Sequence, residues 1–534
     1  MSKKRNRNKY RASPKDSGYS ESGASLTRRS LKGFRPNSSS PGEDIDLNNY
    51  TLRQRSRMLY MAAPLASAAI KTNRTKIVGV GLTLSPVIDY EFLGMSQEAA
   101  VRWQRQTLKE FNLWAGKKEN CDALGLNNFA GMQQLALKSW LMSGDVFALK
   151  KNYEPTPLNP YSLRLHLIEA DRVCTPYAYR MGIGVLPNVE GTVPDGQPGA
   201  GHKIHDGVEV DSNGMVQAYH ICSGYPQQML LESLEWTRVT AYGSRTGQPN
   251  VLHIMESERP DSYRGVPYLA NVIETLLQQR RYTESELTAA LVQSFFTAWI
   301  KTVTNQSEIP MNEVGAGNIN GIPSENPQEE NLSTSENEYE MGPGTVLHLG
   351  ENEEVQFGSP NIPTAGFEVF MKTITKLIGA ALELPYDVIV KEFNASYSAA
   401  RGALMEAWEA FRMRRAWFVD SFCQPVYEMW LAEAVARGRV KAPGFFNDPA
   451  VRAAWCGARW IGPVQGQLDP KKEVEAGILM TAHGFKTHEQ VTRELGGGDW
   501  NENMDQVLIE RKKCGEANTP DVLPSGQDPK EDDE

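Results

Sequence analysis

Apolar residues recur at helical spacing in two long stretches that flank a polar interval. From Pro267, suited to a first helical position, the series Leu269, Val272, Ile273, Leu276, Leu277, Leu287, Leu291, Val292, Phe295, Phe296 and Trp299 predicts a helix to about Lys301. At 1.5 Å per residue it would be about 50 Å long. Past the interval, "GTVLHL" (344–349) and "EEVQF" (353–357) predict a strand pair, and 365–382 predicts a second helix that stops before Pro385. A third starts at a Ser396 or Ser398 cap and runs through Trp408, Phe411, Trp417 and Phe422. Pro425 should kink it, and Gly438 ends it.

Upstream, helical spacing covers 52–71, 97–117 and 128–142, the last stopped by Ser143 and Gly144. "KIVGVGLTL" (76–84) reads as a strand. Its Gly79 and Gly81 begin a GxG, but Leu84 stands where a dinucleotide fingerprint needs its third glycine, so a Rossmann site is rejected. Strand patterns follow at 145–151, 163–173, 207–221 and 251–257, with a hairpin turn at 211–214. The stretch 177–207, dense in Gly and Pro, reads as a surface insertion. Near the C-terminus, helices are predicted at 470–483 under an Asp469 cap and 488–495 under a Thr487 cap, with a polar one at 501–513.

Charge changes this picture because it is segregated. A chain of 534 residues suggests two to four domains, and its net charge of −9 argues against a nonspecific nucleic-acid coat. Yet residues 1–48 have the composition of a disordered basic arm, with eleven basic and four acidic side chains in 1–45, while the tail from 514 is acidic. Between Lys301 and Lys372 there is no Lys, Arg or Asp, but there are twelve Glu. So long an interval inside a compact domain is either functional or disordered. Six scattered cysteines without a CxxC pair favour a reducing compartment, and the N-terminus has no apolar signal-peptide stretch. The longest uncharged apolar run, 287–300, is 14 residues and falls short of a membrane span.

Sites of chemistry are not evident. There is no phosphate loop, no HExxH and no Cys/His cluster at zinc spacing. "GSRTG" (243–247) misplaces its serine for a nucleophile elbow. The pairs His202/His205 and His483/His488 lack accompanying ligands, and the Glu-rich interval has no EF-hand spacing, so a solvated acidic face is its default. No catalytic residue, metal site or cofactor is identified.

Several segments, taken together, resemble one family. They are "EADRV" (169–173), "GVEVDSNGMVQAYHI" (207–221), "RGVPYL" (264–269), "GTVLHLGENEEVQF" (344–357), "LPYDVI" (384–389), "NASYSAARGALMEAW" (394–408), "LDPKKEVEA" and "GFKTHEQVTRELG". In this order, over roughly residues 50–513, they are similar to the portal proteins of lambda-type tailed bacteriophages. The resemblance implies an α+β, mainly helical portal fold with wing, stem, clip and crown, assembled as a ring of twelve subunits. Carried over, it implies a wing at 49–266 holding the insertion 177–206, stem helices at 267–302 and 359–383, and a clip at 303–358. It further implies a tunnel loop at 384–397, a return helix into the wing at 398–466 and a crown at 467–513.

The resemblance also implies function: a channel at one capsid vertex through which double-stranded DNA is packaged and ejected, docking the terminase large subunit and later head-completion or adaptor proteins. Capsid and scaffolding proteins are further partners. The place is the virion, reached from the host cytoplasm, with no membrane. Residues to watch are Lys391, Glu392, Phe393 and Asn394 in the tunnel loop, and Leu291, Phe295, Phe296 and Trp299 for subunit packing. Glu329, Glu330, Glu336, Glu338 and Glu340 form the clip's partner surface. A pore that passes any sequence must not hold phosphates tightly, which suits the acidic balance. Lys391 is the exception: twelve copies could touch phosphates weakly, against the equal reading of a solvated loop lysine. The competing class is a phage DNA-metabolism enzyme, nuclease or ATPase, without a recognisable motif.

Overall fold

The computed structural model describes residues 24–25, 28–31, 33–34, 36–180, 190–226, 233–294, 298–302, 353–357, 366–392, 397–466, 469–496 and 498–516. Helices in chain order are α1 (Leu47–Ala62), α2 (Pro64–Ile77), α3 (Gln97–Ala115), α4 (Lys118–Cys121), α5 (Phe129–Ser143), α6 (Ile273–Ser294) and α7 (Phe367–Ala381). They continue with α8 (Tyr386–Val390), α9 (Tyr397–Phe418), α10 (Gln424–Ala436), α11 (Pro449–Cys456), α12 (Pro470–Ala482), α13 (His488–Gly496) and α14 (Trp500–Glu516). Strands are β1 (Thr83–Pro86), β2 (Asp145–Asn152), β3 (Leu163–Glu169), β4 (Gly191–Thr192), β5 (Lys203–His205) and β6 (Val208–Val210). β7 (Val216–Cys222), β8 (Trp236–Thr240), β9 (Val251–Met255), β10 (Ala298–Thr302), β11 (Glu353–Phe357) and β12 (Ala458–Ile461) complete the set.

Strand alternation builds the centre. In the antiparallel sheet β3-β2-β9, Val146 and Ala148 point into a large helical core, whereas Phe147 and Leu149 point into a smaller one. Successive side chains on a strand face opposite ways, so β2 is covered on both sides. The large core joins α1, α2, α3, α5, α9 and α10, with Phe111 meeting Trp430 edge-on at 5.1 Å. The small core lies between this sheet and the antiparallel sheet β4-β5-β6-β7-β8, where Val208, Tyr219 and Ile221 are buried.

Several elements depart from the sequence-based expectation. The helix expected at 52–71 is two helices, because Pro64 opens α2 after Ala63 takes an extended conformation (φ −110°, ψ 116°). "KIVGVGLTL" is mostly helix end and turn: Gly79 and Gly81 have φ of 60° and 130°, and a Cβ on Gly81 would stand 2.5 Å from Ala130 Cβ. Only Thr83–Pro86 forms a strand, paired with β12. The insertion 177–206 is more than surface, since it supplies β4, β5 and the buried Asp206. The helix expected to reach Lys301 ends at Ser294, and β10 pairs antiparallel with β11. Short apolar runs rich in aromatic and β-branched residues fit helix and strand patterns equally, and here a partner strand decides. "GTVLHL", expected to pair with "EEVQF", lies outside the described residues. Before Pro425, which has no N–H, the path from α9 to α10 passes through a π-helical turn, Val419–Cys423.

The C-terminal helices follow their caps. The Asp469 side chain accepts from the Lys472 N–H, and Thr487 and Gln490 cap each other reciprocally at 3.2 and 3.0 Å. Arg459 pairs with Glu489 at 2.8 Å and Arg105 with Asp505, which ties α13 to β12 and α14 to α3.

Candidate channel and subunit-packing elements

α6 and α7 form an antiparallel pair. The Gln279 side-chain amide donates to Thr375 Oγ1 (3.2 Å) in a buried position, and Tyr282 stacks on Phe367 at 5.6 Å and meets Phe370 edge-on at 4.7 Å. Yet Leu287, Val369 and Leu377 are 62%, 67% and 62% exposed, and Leu291 is 62% exposed. So much exposed aliphatic surface on one helix pair is the mark of an interaction face.

The foot of α7 is pinned by polar side chains from three directions. The Tyr268 hydroxyl donates to the Leu382 carbonyl, and Asn73 Nδ2 donates to the Tyr268 oxygen at 3.3 Å. Arg414 of α9 donates to Asn73 Oδ1 (3.2 Å), pairs with Glu383 and lies over the Tyr268 ring at 5.0 Å. Burial pushes the Tyr268 phenol up to about 12, so it stays a donor. At Gly379 the chain reverses so tightly that a Cβ would stand 2.4 Å from the Leu384 carbonyl oxygen. No local sequence signal marks Asn73, Glu383 or Arg414, and Tyr268 stands within "RGVPYL".

The connector 384–397 divides into a buried and an exposed part. α8 buries Val388 and Ile389 (7% and 3% exposed), and Ile389 joins the large core. Lys391 follows in the left-handed region (φ 61°), exposed beside the exposed Glu392, whose carboxylate accepts from the Tyr386 hydroxyl at 3.4 Å. Phe393 and Asn394 lie outside the described residues, as do Phe295, Phe296, Glu329, Glu330, Glu336, Glu338 and Glu340. Trp299, expected on the helix beside Leu291, stands instead on β10, opposite Gln356.

A buried ionic cluster lies where α1, β2, β5 and the "RGVPYL" segment meet. Arg264, fully buried, donates to both Asp145 oxygens (Nε 2.6 Å, Nη2 3.2 Å) and lies 2.6 Å from Asp206. It also donates to the Val173 and Ala170 carbonyls at 2.8 and 2.9 Å. Arg53 reaches Asp206 at 3.1 Å and Asp145 at 3.6 Å, and His253 lies 3.3 Å from Asp145. Burial would raise Asp145, but Arg264 and Arg53 hold its carboxyl well below the usual range. Burial pushes Asp46 up to about 7, with Asp206 adding to the rise, and pushes Asp206 up to about 6 against both arginines.

The raised pair sets a pH dependence. Asp46 binds its proton more tightly folded than unfolded, so its stabilisation is full below its ordinary value of 3.8 and is lost as pH rises through about 7. His253, lowered by burial, acts in the opposite sense and loses its stabilisation as pH falls. Asp46→Asn isolates the first effect: between pH 5 and 8 the parent should lose thermal stability relative to this variant. Parallel melting curves at all pH values would refute it.

No helix among the described residues is long and apolar enough to cross a membrane, and no group of three or more metal-ligating side chains occurs among them. The chain is 23% identical over 507 residues to the portal protein of Escherichia phage N15, covering 91% of this chain and 89% of that protein. It is 22% identical over 498 residues to portal protein B of Escherichia phage lambda, covering 89% and 87%. Among solved structures it is similar to a chain in the neck of a native GTA particle computed with C12 symmetry (TM-score 0.40, 13% identity, 85% and 94% covered). A chain in the virion of a native gene transfer agent particle is similar at TM-score 0.39 and 14% identity, with 84% and 92% covered. Residues 27–415 match the model of the lambda family of phage portal proteins, and the chain belongs to that family.

Proposed function

We propose that twelve copies of this chain form a ring at one capsid vertex, a conduit for double-stranded DNA that has no catalytic activity of its own. The observation that carries this reading is the family match, which spans residues 27–415. Helices about 10 Å across, set twelve to a ring, have a circumference of about 120 Å. Subtracting one helix width from the axis-to-axis diameter leaves a bore of about 28 Å, room for a duplex of roughly 20 Å. In this reading α6 and α7 are the stem, 303–358 the clip, and α12 to α14 the crown. The exposed aliphatic face of the stem meets neighbouring subunits, and the acidic clip takes the terminase large subunit and later the adaptor protein. The ring is assembled in the host cytoplasm with scaffolding and capsid proteins and ends in the virion. Negative-stain images of the purified chain test the proposal: rings with a central hole support it, and a monodisperse monomer with nucleotide turnover overturns it.

The tunnel loop has a separate test. A deletion must spare Val388 and Ile389, which are core residues, so it should begin at Lys391. Removing 391–396 is expected to leave ring assembly intact and to lower the packaged or retained DNA per particle. Full-length packaging by that variant would refute a DNA-facing role for Lys391, Glu392, Phe393 and Asn394.

A further inference from the structure

A groove of about 830 Å³ runs between α3 and the segment joining α10 to α11. Trp103 and Trp455 line it with their rings 4.9 Å apart, and both indoles are held in place. Trp103 Nε1 donates to the Lys441 carbonyl (2.8 Å) and Trp455 Nε1 to the Pro443 carbonyl (3.2 Å). The other lining residues include three cations, Arg102, Arg439 and Lys441. Arg439 is engaged by Glu110, but among the described residues the Arg102 guanidinium and the Lys441 ammonium have no ion-pair partner. Thr107 Oγ1, also in the lining, is buried without a hydrogen-bond partner among the described residues. Aromatic floor, free cations and an orphaned hydroxyl together fit an extended segment with small apolar side chains and several carboxylates.

The chain carries such a segment. Residues 517–534, outside the described residues, hold Asp521, Asp528, Glu531, Asp532, Asp533 and Glu534 against Lys530 alone, with Val522 and Leu523 beside the first acid. Their starting point is close. The pair Arg105–Asp505 lays α14 against α3, and Arg102 is one helical turn before Arg105, so both arginines share a face. From Asp505 to Glu516 the helix extends only about 17 Å, and eighteen residues reach up to about 60 Å when extended. The segment therefore has ample length to return.

We propose that residues 517–534 dock into the groove of their own chain, with Val522 and Leu523 against Trp103 and the acidic side chains on Arg102 and Lys441. Another acidic protein segment then gains the groove only by displacing the tail. A tethered segment has an effective concentration in the mM range, so a site of about 0.1 mM affinity would be occupied about 90% of the time. That occupancy slows amide exchange in the groove about tenfold.

Hydrogen exchange on the full-length protein, compared with a chain truncated after Glu516, tests this. Truncation is expected to speed exchange about tenfold at 99–107 and 438–444, and a synthetic 517–534 peptide to restore protection, less so at high salt. The double variant Arg102→Glu with Lys441→Glu should exchange like the truncated chain while its circular dichroism is unchanged. Equal exchange with and without the tail overturns the proposal. So does protection of the truncated chains' grooves in assemblies mixed with full-length chains, because the tail would then serve a neighbour.

Discussion

Replacing Arg264 with methionine is expected to cost about 3–5 kcal/mol and to lower the melting temperature by on the order of 10 °C. Arg264 is completely buried and its guanidinium neutralises Asp145 and Asp206. Methionine of similar length fills the space but leaves two carboxylates to Arg53, whose nearest contacts to them are longer, at 3.6 and 3.1 Å. Most of the cost is thus the uncompensated buried charge, not lost attraction. It follows that Arg264→Met with Asp145→Leu should recover part of the loss. Thermal melts of both variants check this, and a single variant within about 1 kcal/mol of the parent would show that Arg53 suffices.

Leu287→Asp is expected to abolish ring assembly while leaving the single chain folded. Leu287 is 62% exposed in the chain, so an aspartate there meets water and should change its stability little. In the proposed ring it would meet a neighbour. Fully burying a leucine stabilises by about 1.5–3 kcal/mol, and the variant replaces that with a charge to be desolvated at every subunit contact. Mass measurement in solution with circular dichroism separates the cases. Folded monomers fit the proposed stem face, and normal rings from the variant would exclude Leu287 from it.

The elements that the two experiments probe are unequally readable in the sequence. The periodicity of 365–382 and the caps Asp469 and Thr487 mark helices because capping and amphipathicity are local properties. The connector 384–397 reads as one loop in the sequence, yet Val388 and Ile389 within it are buried. Nothing between Leu384 and Val390 announces that Val388 and Ile389 turn inward, since that depends on α2 and α9 lying over them. The spacing of Trp299 fits a helix, and the strand Glu353–Phe357 that pairs with its segment is some fifty residues away.

By itself the sequence determined the long helices α3, α5, α7 and α9, the acidic interval, the opposite charges of the two termini and the family to which the chain belongs. These depend on local propensity, on charge counts and on motif order. Tertiary structure alone decided that Arg53, Asp145, Asp206 and Arg264 are one buried cluster, and that Asn73, Tyr268, Glu383 and Arg414 clamp the foot of α7. It also decided that two tryptophans 352 positions apart floor one groove. A charged residue's spacing in sequence carries no record of whether folding will bury it, because burial is set by what distant segments pack over it.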